Sequence, residues 1–199
     1  MSRPTLALLA FALIPACDSR TATPGPSPQT VIDPTGTPIA TATAATTTTT
    51  ADGQTVDHVR VAIKKVSVGK VPLRAADGSI VYADEPRLMI ALRIENVSDS
   101  KRSGYNTWVP DLEAAKTVAR LTDDRGNELK RVTFGFGNNV QGRTVLDTLS
   151  PSKVIGDLLV FEPPAASVKA LKLVLPGANC GVRGSFEFEI DVAAITRPR

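Results

Sequence analysis

Residues Arg87–Asn96 read RLMIALRIEN. Leu88, Ile90, Leu92 and Ile94 recur at every second position, with Arg87, Met89, Ala91, Arg93 and Glu95 between them. Successive side chains of a strand point to opposite faces, so this spacing gathers four aliphatic groups on one face. A helix would instead place Arg93 and Glu95 inside the apolar stripe. The stretch reads as a half-buried strand of an antiparallel sheet.

Working outward, the same period recurs. Phe186, Phe188, Ile190 and Val192 alternate with Glu187, Glu189 and Asp191. A slip of one residue would bury three carboxylates, so the register there is firmly set. Val59, Val61 and Ile63 form another apolar set, and Val66 and Val68 continue it with the parity flipped at Lys64-Lys65. One extra residue exchanges the two faces, which predicts a β-bulge or a change of sheet. Ala76-Asp77-Gly78-Ser79 is a turn signal, with Ile80–Tyr82 as a short returning strand. Further strands are expected at Lys116–Leu121, Lys130–Phe136, Val154–Phe161 and Val168–Leu175. Asp123–Asn127 forms a tight turn, and Gly135–Gly142 a flexible loop. Asp111–Ala119 has helical composition, but its apolar positions also fit alternation. Seven or eight strands without a convincing amphipathic helix make an all-β chain. The expected architecture is an antiparallel β-sandwich of immunoglobulin-like appearance over residues 54–195, with 196–199 as a tail. The Cys…Trp…Cys spacing of antibody domains is absent.

Ahead of this domain the composition changes twice. Arg3 is followed by the apolar run Thr5–Ile14 (TLALLAFALI) and then by Pro15-Ala16-Cys17. A positive start, a short apolar run and a small residue before the cut have the layout of a secretory signal peptide. The run is too short to span a bilayer, which takes about 20 apolar residues. A cysteine directly after the cut resembles the lipobox of bacterial lipoproteins. That resemblance implies a signal over residues 1–16, lipid on Cys17, and export to a membrane of the bacterial envelope. Plain secretion with cleavage near Ala16 is the alternative. Between Thr21 and Ala51 stand twelve Thr and five Pro, with Asp33 the only charge. Such a stretch cannot bury enough apolar surface to offset its ordering entropy. Residues 17–53 therefore read as the lipidated cysteine and a disordered tether.

The chain has 199 residues and a formal charge of +3 from mixed signs. It lacks the clustered Lys/Arg face of a nucleic-acid binder, so no nucleic-acid partner is expected. Two cysteines, Cys17 and Cys180, and one histidine, His58, do not make a zinc site, which takes three or four N/S ligands. If Cys17 carries lipid, Cys180 is either a buried, inert thiol or paired between chains. His58 beside Asp57 would be the base of any Ser–His–Asp arrangement, yet no serine stands in a nucleophile elbow; a surface histidine is the better reading. Asp123, Asp124, Asn127 and Glu128 lack the alternating acids of a calcium loop. The Gly135–Gly142 loop lacks the Gly-Lys-Ser/Thr ending of a phosphate cradle. Glu187, Glu189 and Asp191 read as a solvated sheet face. No catalytic, metal or cofactor-binding residue is expected. Tyr105 and Trp108, with Lys101, Arg102 and Asn106 nearby, are the candidate partner-contact surface, because aromatics with Arg and Asn on a sandwich loop resemble paratope chemistry. The competing reading folds Trp108 back to cap the core.

Several motifs together resemble a known family. They are Leu92–Ser98 (LRIENVS), Tyr105 and Trp108, Leu121–Asp124 with Gly126-Asn127, Pro151, Asp157–Pro164 (DLLVFEPP) and Leu171–Pro176. The pattern, over most of Val56–Val192, resembles an immunoglobulin-like domain found in bacterial cell-envelope lipoproteins. The resemblance implies the sandwich and the envelope address, and it brings no catalytic residues. The expected function is a non-enzymatic, envelope-anchored binding or structural lipoprotein, attached through lipid on Cys17 and facing an envelope protein or polymer. The alternative is a secreted enzyme or metal-dependent sensor with its site in the sandwich loops. A third possibility is completion of the sandwich by another protein's strand along an open sheet edge.

Overall fold

A computed structural model of the chain describes residues 53–109, 117–135 and 138–197. The expected signal segment and tether, Cys17, most of Asp111–Ala119 and Phe136 lie outside the described residues. Ten strands are present among those described. They are β1 (Gln54–Val56), β2 (Val59–Arg74), β3 (Ile80–Asn96), β4 (Ser103–Asn106), β5 (Arg120–Asp123), β6 (Asn139–Val140), β7 (Leu146–Leu149), β8 (Val154–Phe161), β9 (Ala170–Pro176) and β10 (Ser185–Asp191). All strand pairings are antiparallel. No described helix is long and apolar enough to cross a membrane.

One sheet runs β1-β2-β3-β8, with β6 added to β2, a second runs β10-β9-β5, and β4 pairs with β7 alone. The two larger sheets face each other across one core. Val59, Val61, Leu88, Ile90, Leu92 and Ile94 line it from the first sheet; Leu121, Leu171, Leu173, Leu175, Phe186, Phe188 and Ile190 line it from the second. The alternation of Arg87–Asn96 is thus realised as a β-sandwich face. On β10 and β9 the inward pairs are Phe186 with Leu175, Phe188 with Leu173, and Ile190 with Leu171. Their outward neighbours keep Glu187, Glu189 and Asp191 in water, with Lys172 paired to Glu187 at 2.8 Å.

The parity flip on β2 is a bulge. Ile63 pairs with Leu92 and Lys65 with Ala91, leaving Lys64 as the extra residue. Val66 then meets Ile90 on the same face as Ile63, so the inward set survives.

Three expectations need correction. Ile80–Tyr82 is not a separate short strand. It belongs to β3, which runs unbroken to Asn96, and a second register shift opposite Lys70–Pro72 accommodates Pro86, a residue that cannot donate to a regular ladder. Lys130–Phe136 is not a strand over its described part. Arg131 makes one isolated bridge to Phe161, and Val132 and Phe134 pack over the outer face of the first sheet against Val71, Val140 and Val160. This cover is why Leu158 and Val160 of β8 are screened on the face away from the main core. Within Gly135–Gly142, Asn139-Val140 forms β6 on the end of β2 instead of belonging to a flexible loop.

Two of the sheet edges, on β10 and β8, are partly covered. Gln54 lies beside β10; its side-chain Nε2 donates to the Glu187 carbonyl, and its Oε1 accepts from the Glu187 N–H at 2.7 Å. At Glu187 the side-chain amide takes the two backbone groups that a neighbouring strand would otherwise use. On β8, Val132 N–H donates to the Val160 carbonyl at 3.0 Å and Glu162 N–H to that of Lys130 at 2.8 Å.

Candidate functional site

The segment carrying the expected contact residues, Lys101–Trp108, begins at a polar anchor. Asn96 ends β3 fully buried, and its Nδ2 donates to the carbonyls of Lys101 and Leu149, both at 2.8 Å. Its Oδ1 accepts from the Ser98 N–H at 3.0 Å. One amide therefore fixes the turn after β3 and ties it to β7. From there β4 pairs with β7 and alternates: Gly104 and Asn106 face water, Tyr105 faces in.

Tyr105 and Trp108 are both fully buried. They leave the contact set, and only Lys101, Arg102 and Asn106 keep an exposed surface. The rings meet edge to face, with centroids 5.4 Å apart and planes at 72°. Aromatic pairs prefer this arrangement because the positive ring edge meets the negative ring face. Trp108 Nε1 donates to the Pro176 carbonyl at 2.9 Å, so the indole N–H is satisfied as it enters the core.

The Tyr105 hydroxyl donates to Asp157 Oδ2, and the Thr107 hydroxyl donates to the same oxygen at 2.9 Å. The other oxygen, Oδ1, accepts from the Leu158 N–H at 2.7 Å and the Thr144 N–H at 3.3 Å. Asp157 is only 2 % exposed. Burial raises its carboxyl above the ordinary value; the hydrogen bonds from Tyr105 and Thr107 oppose that rise without cancelling it. Burial and the adjacent Asp157 likewise push the Tyr105 phenol far upward. Nearby, Cys180 is a free, fully buried thiol, pushed up to about 12 by burial and by the charge of Asp157. Asn179 Nδ2 closes the cluster by donating to the Thr107 carbonyl at 3.0 Å.

Sequence reasoning missed Asp157, although a signal was present. Ile155, Leu159 and Phe161 share its parity, so a strand buried on that face carries the aspartate inward. Its partner across β3 is Leu92, from the middle of the inward set.

The other candidates separate from this cluster. His58 is half-buried rather than freely exposed, with its side chain 10 % exposed. Its Nδ1 meets Asp57 Oδ2 at 2.9 Å, and Lys101 Nζ meets Asp57 Oδ1 at 3.0 Å. These two contacts, the histidine's first, hold the Asp57 carboxyl below its usual value. His58 Nε2 and Ser103 Oγ are each sheltered without a hydrogen-bond partner, so they do not bond each other and no serine–histidine relay is closed. At the β5 turn, Asp123 Oδ1 accepts from the N–H groups of Arg125 and Asn127 at 2.9 and 2.8 Å, and Oδ2 from Asn127 Nδ2 at 2.9 Å. Gly126 supplies the positive φ of +84° that the turn requires. The carboxylate closes its own loop rather than pointing at a cation.

No family model matches the chain, and neither does any curated protein. Among solved structures, the yjhA protein of Bacillus subtilis is similar at 15 % identity and a TM-score of 0.44, covering 73 % of this chain and 95 % of its own. A candidate lipoprotein of Bacillus subtilis, ycdA, is similar at 14 % identity and a TM-score of 0.42. That likeness covers 71 % of this chain and 39 % of the ycdA chain.

Proposed function

We propose that this chain is a non-enzymatic lipoprotein of the bacterial envelope, presenting one immunoglobulin-like domain as a binding or structural module. The observation that carries the non-enzymatic reading is the sealing of Asp157. The groups best suited to chemistry (a carboxylate, a phenol and a thiol) sit together but shut off from solvent. Each is shifted toward its protonated form, and a protonated thiol is a poor nucleophile. The cluster ties β4, the segment after it and the β6–β7 loop to β8, which is a structural task. The envelope address rests on the sequence ahead of Gln54: the lipobox-like Ile14–Cys17 and the Thr/Pro tether. Partner contact then falls to the exposed residues of the β3–β4 loop and β4, Arg102 and Asn106, with Lys101 engaged by Asp57. An envelope protein or polymer is the expected partner.

Metabolic labelling with a fatty-acid analogue tests the reading. The wild type should take up label and stay with membranes, whereas Cys17→Ser should do neither. An unlabelled wild type sinks the lipoprotein assignment. The module assignment fails if the purified protein turns over an envelope substrate and Asp157→Asn stops that turnover without unfolding the domain.

A further inference from the structure

The structure assigns an oxyanion-binding site to the pocket where the end of β2 meets the β6–β7 loop. The cavity is about 460 Å³ and is lined by Arg74, Asn139, Val140, Gln141, Gly142, Arg143 and Val145. Two cations and two amides stand in this lining, and no carboxylate does. Arg74 is exposed and makes no ion pair with any described residue. Arg143 is only half-exposed, and two of its donors, Nε and Nη2, are sheltered from water with no hydrogen-bond partner.

Those two donors are the side edge of the guanidinium, a planar fork that matches the two oxygens of a carboxylate or phosphate. A sheltered, unpaired fork is costly, and such a group in a folded protein calls for a partner. Asp157 feels the Arg143 charge, but the two make no ion pair within 4.0 Å. Its oxygens are already held by Tyr105, Thr107, Thr144 and Leu158. Arg143 therefore keeps its fork for another anion. Arg74 supplies the second charge, and the Asn139 and Gln141 amides supply further donors. The backbone at Gly142, with φ of +87°, leaves open space beside it for close approach. The ligand class is a compact oxyanion group, either a carboxylate or a phosphate, at the end of a larger molecule. This site does not depend on how the chain is anchored.

The test is nitrogen-15 NMR of the full chain, titrated separately with inorganic phosphate and with acetate at ionic strength held constant by sodium chloride. The expected result is a saturable shift of the Arg143 Nε–H and the Gly142 amide with at least one probe. Response to phosphate alone selects a phosphate ligand, and response to acetate alone a carboxylate. Arg143→Gln should abolish the shift, and Arg74→Gln should weaken it about tenfold, as loss of one charge-assisted contact does. Two results overturn the site: no saturable shift with either probe, or unchanged affinity in the variants. If Arg143→Gln fails to fold, Arg74→Gln decides, because an exposed arginine at the end of β2 is not needed for folding.

Discussion

Trp108 had two possible roles with opposite consequences, and its burial selects one. A fully buried indole with its N–H bonded to Pro176 should cost about 3–5 kcal/mol when cut to alanine. Chemical denaturation of Trp108→Ala measures this directly, and a loss under about 1 kcal/mol would contradict the packing. As the chain's one tryptophan, Trp108 should also emit at short wavelength and resist iodide quenching. Asp157 gives a pH signature with a definite sign. Burial raises its folded-state pKa above the unfolded value near 3.8. The folded state then holds the proton longer, so this residue's contribution is full below 3.8 and is lost as pH rises through the folded value. Asp157→Asn should therefore gain stability relative to wild type as pH climbs from about 3.8, seen as a narrowing gap in urea midpoints. A gap that widens over that range would mean the four donors outweigh burial. The site was only half legible at this scale. Tyr105 and Trp108 stand among Ser, Gly, Asn and Thr, with no alternation to show which way they point. Asp157 was legible through its parity with Ile155 and Leu159, but one acid in an apolar strand reads as an exception until its partners are seen.

At the scale of the strand, legibility followed the number of covered faces. β9 and β10 each bury one face and leave the other largely in water, and β3 does so beyond Met89, so period two appears in their sequences. The segment from Lys130 also alternates, yet its apolar groups lie over an existing sheet face instead of extending a ladder. Alternation reports which side is covered, not what the backbone bonds to. The first part of β3 was misread for the opposite reason: Ile80, Val81 and Tyr82 are all substantially exposed, and Pro86 looks like a stop. The bulge at Lys64 permits a sharp test. Because Lys64 faces no partner in the ladder, deleting it should leave every pair of β2 and β3 in place and change stability by only about 1 kcal/mol. Deleting Ala91 should turn Leu92 and Ile94 outward and abolish the cooperative transition. Circular dichroism melts of the two deletions distinguish these outcomes, and equal effects would refute the assigned register. On the neighbouring edge, Gln54→Ala removes two hydrogen bonds to Glu187. It should cost about 1–3 kcal/mol and raise self-association through β10, measurable by light scattering.

Taken whole, the fold holds together without a covalent cross-link among its described residues, since Cys180 is free and enclosed. Cys180→Ala should melt cooperatively in both oxidising and reducing buffer, at a cost of a few kcal/mol at most. Redox dependence in the wild type alone would point to a bridge. The way the chain enters the domain has a mechanical consequence. Everything ahead of Gly53 reaches the sandwich through β1, a strand of three residues at the end of its sheet. Its ladder with β2 starts at Gln54–Val61 and closes at the Asp57-His58 turn. A pull on the preceding chain thus loads one rung at a time, as a zipper is opened, while the long β2–β3 ladder stays unloaded. The first rung to part carries Gln54, and with it the cap on β10. Tension on that preceding chain would be converted into an uncovered strand edge at a force far below that needed to unfold the domain.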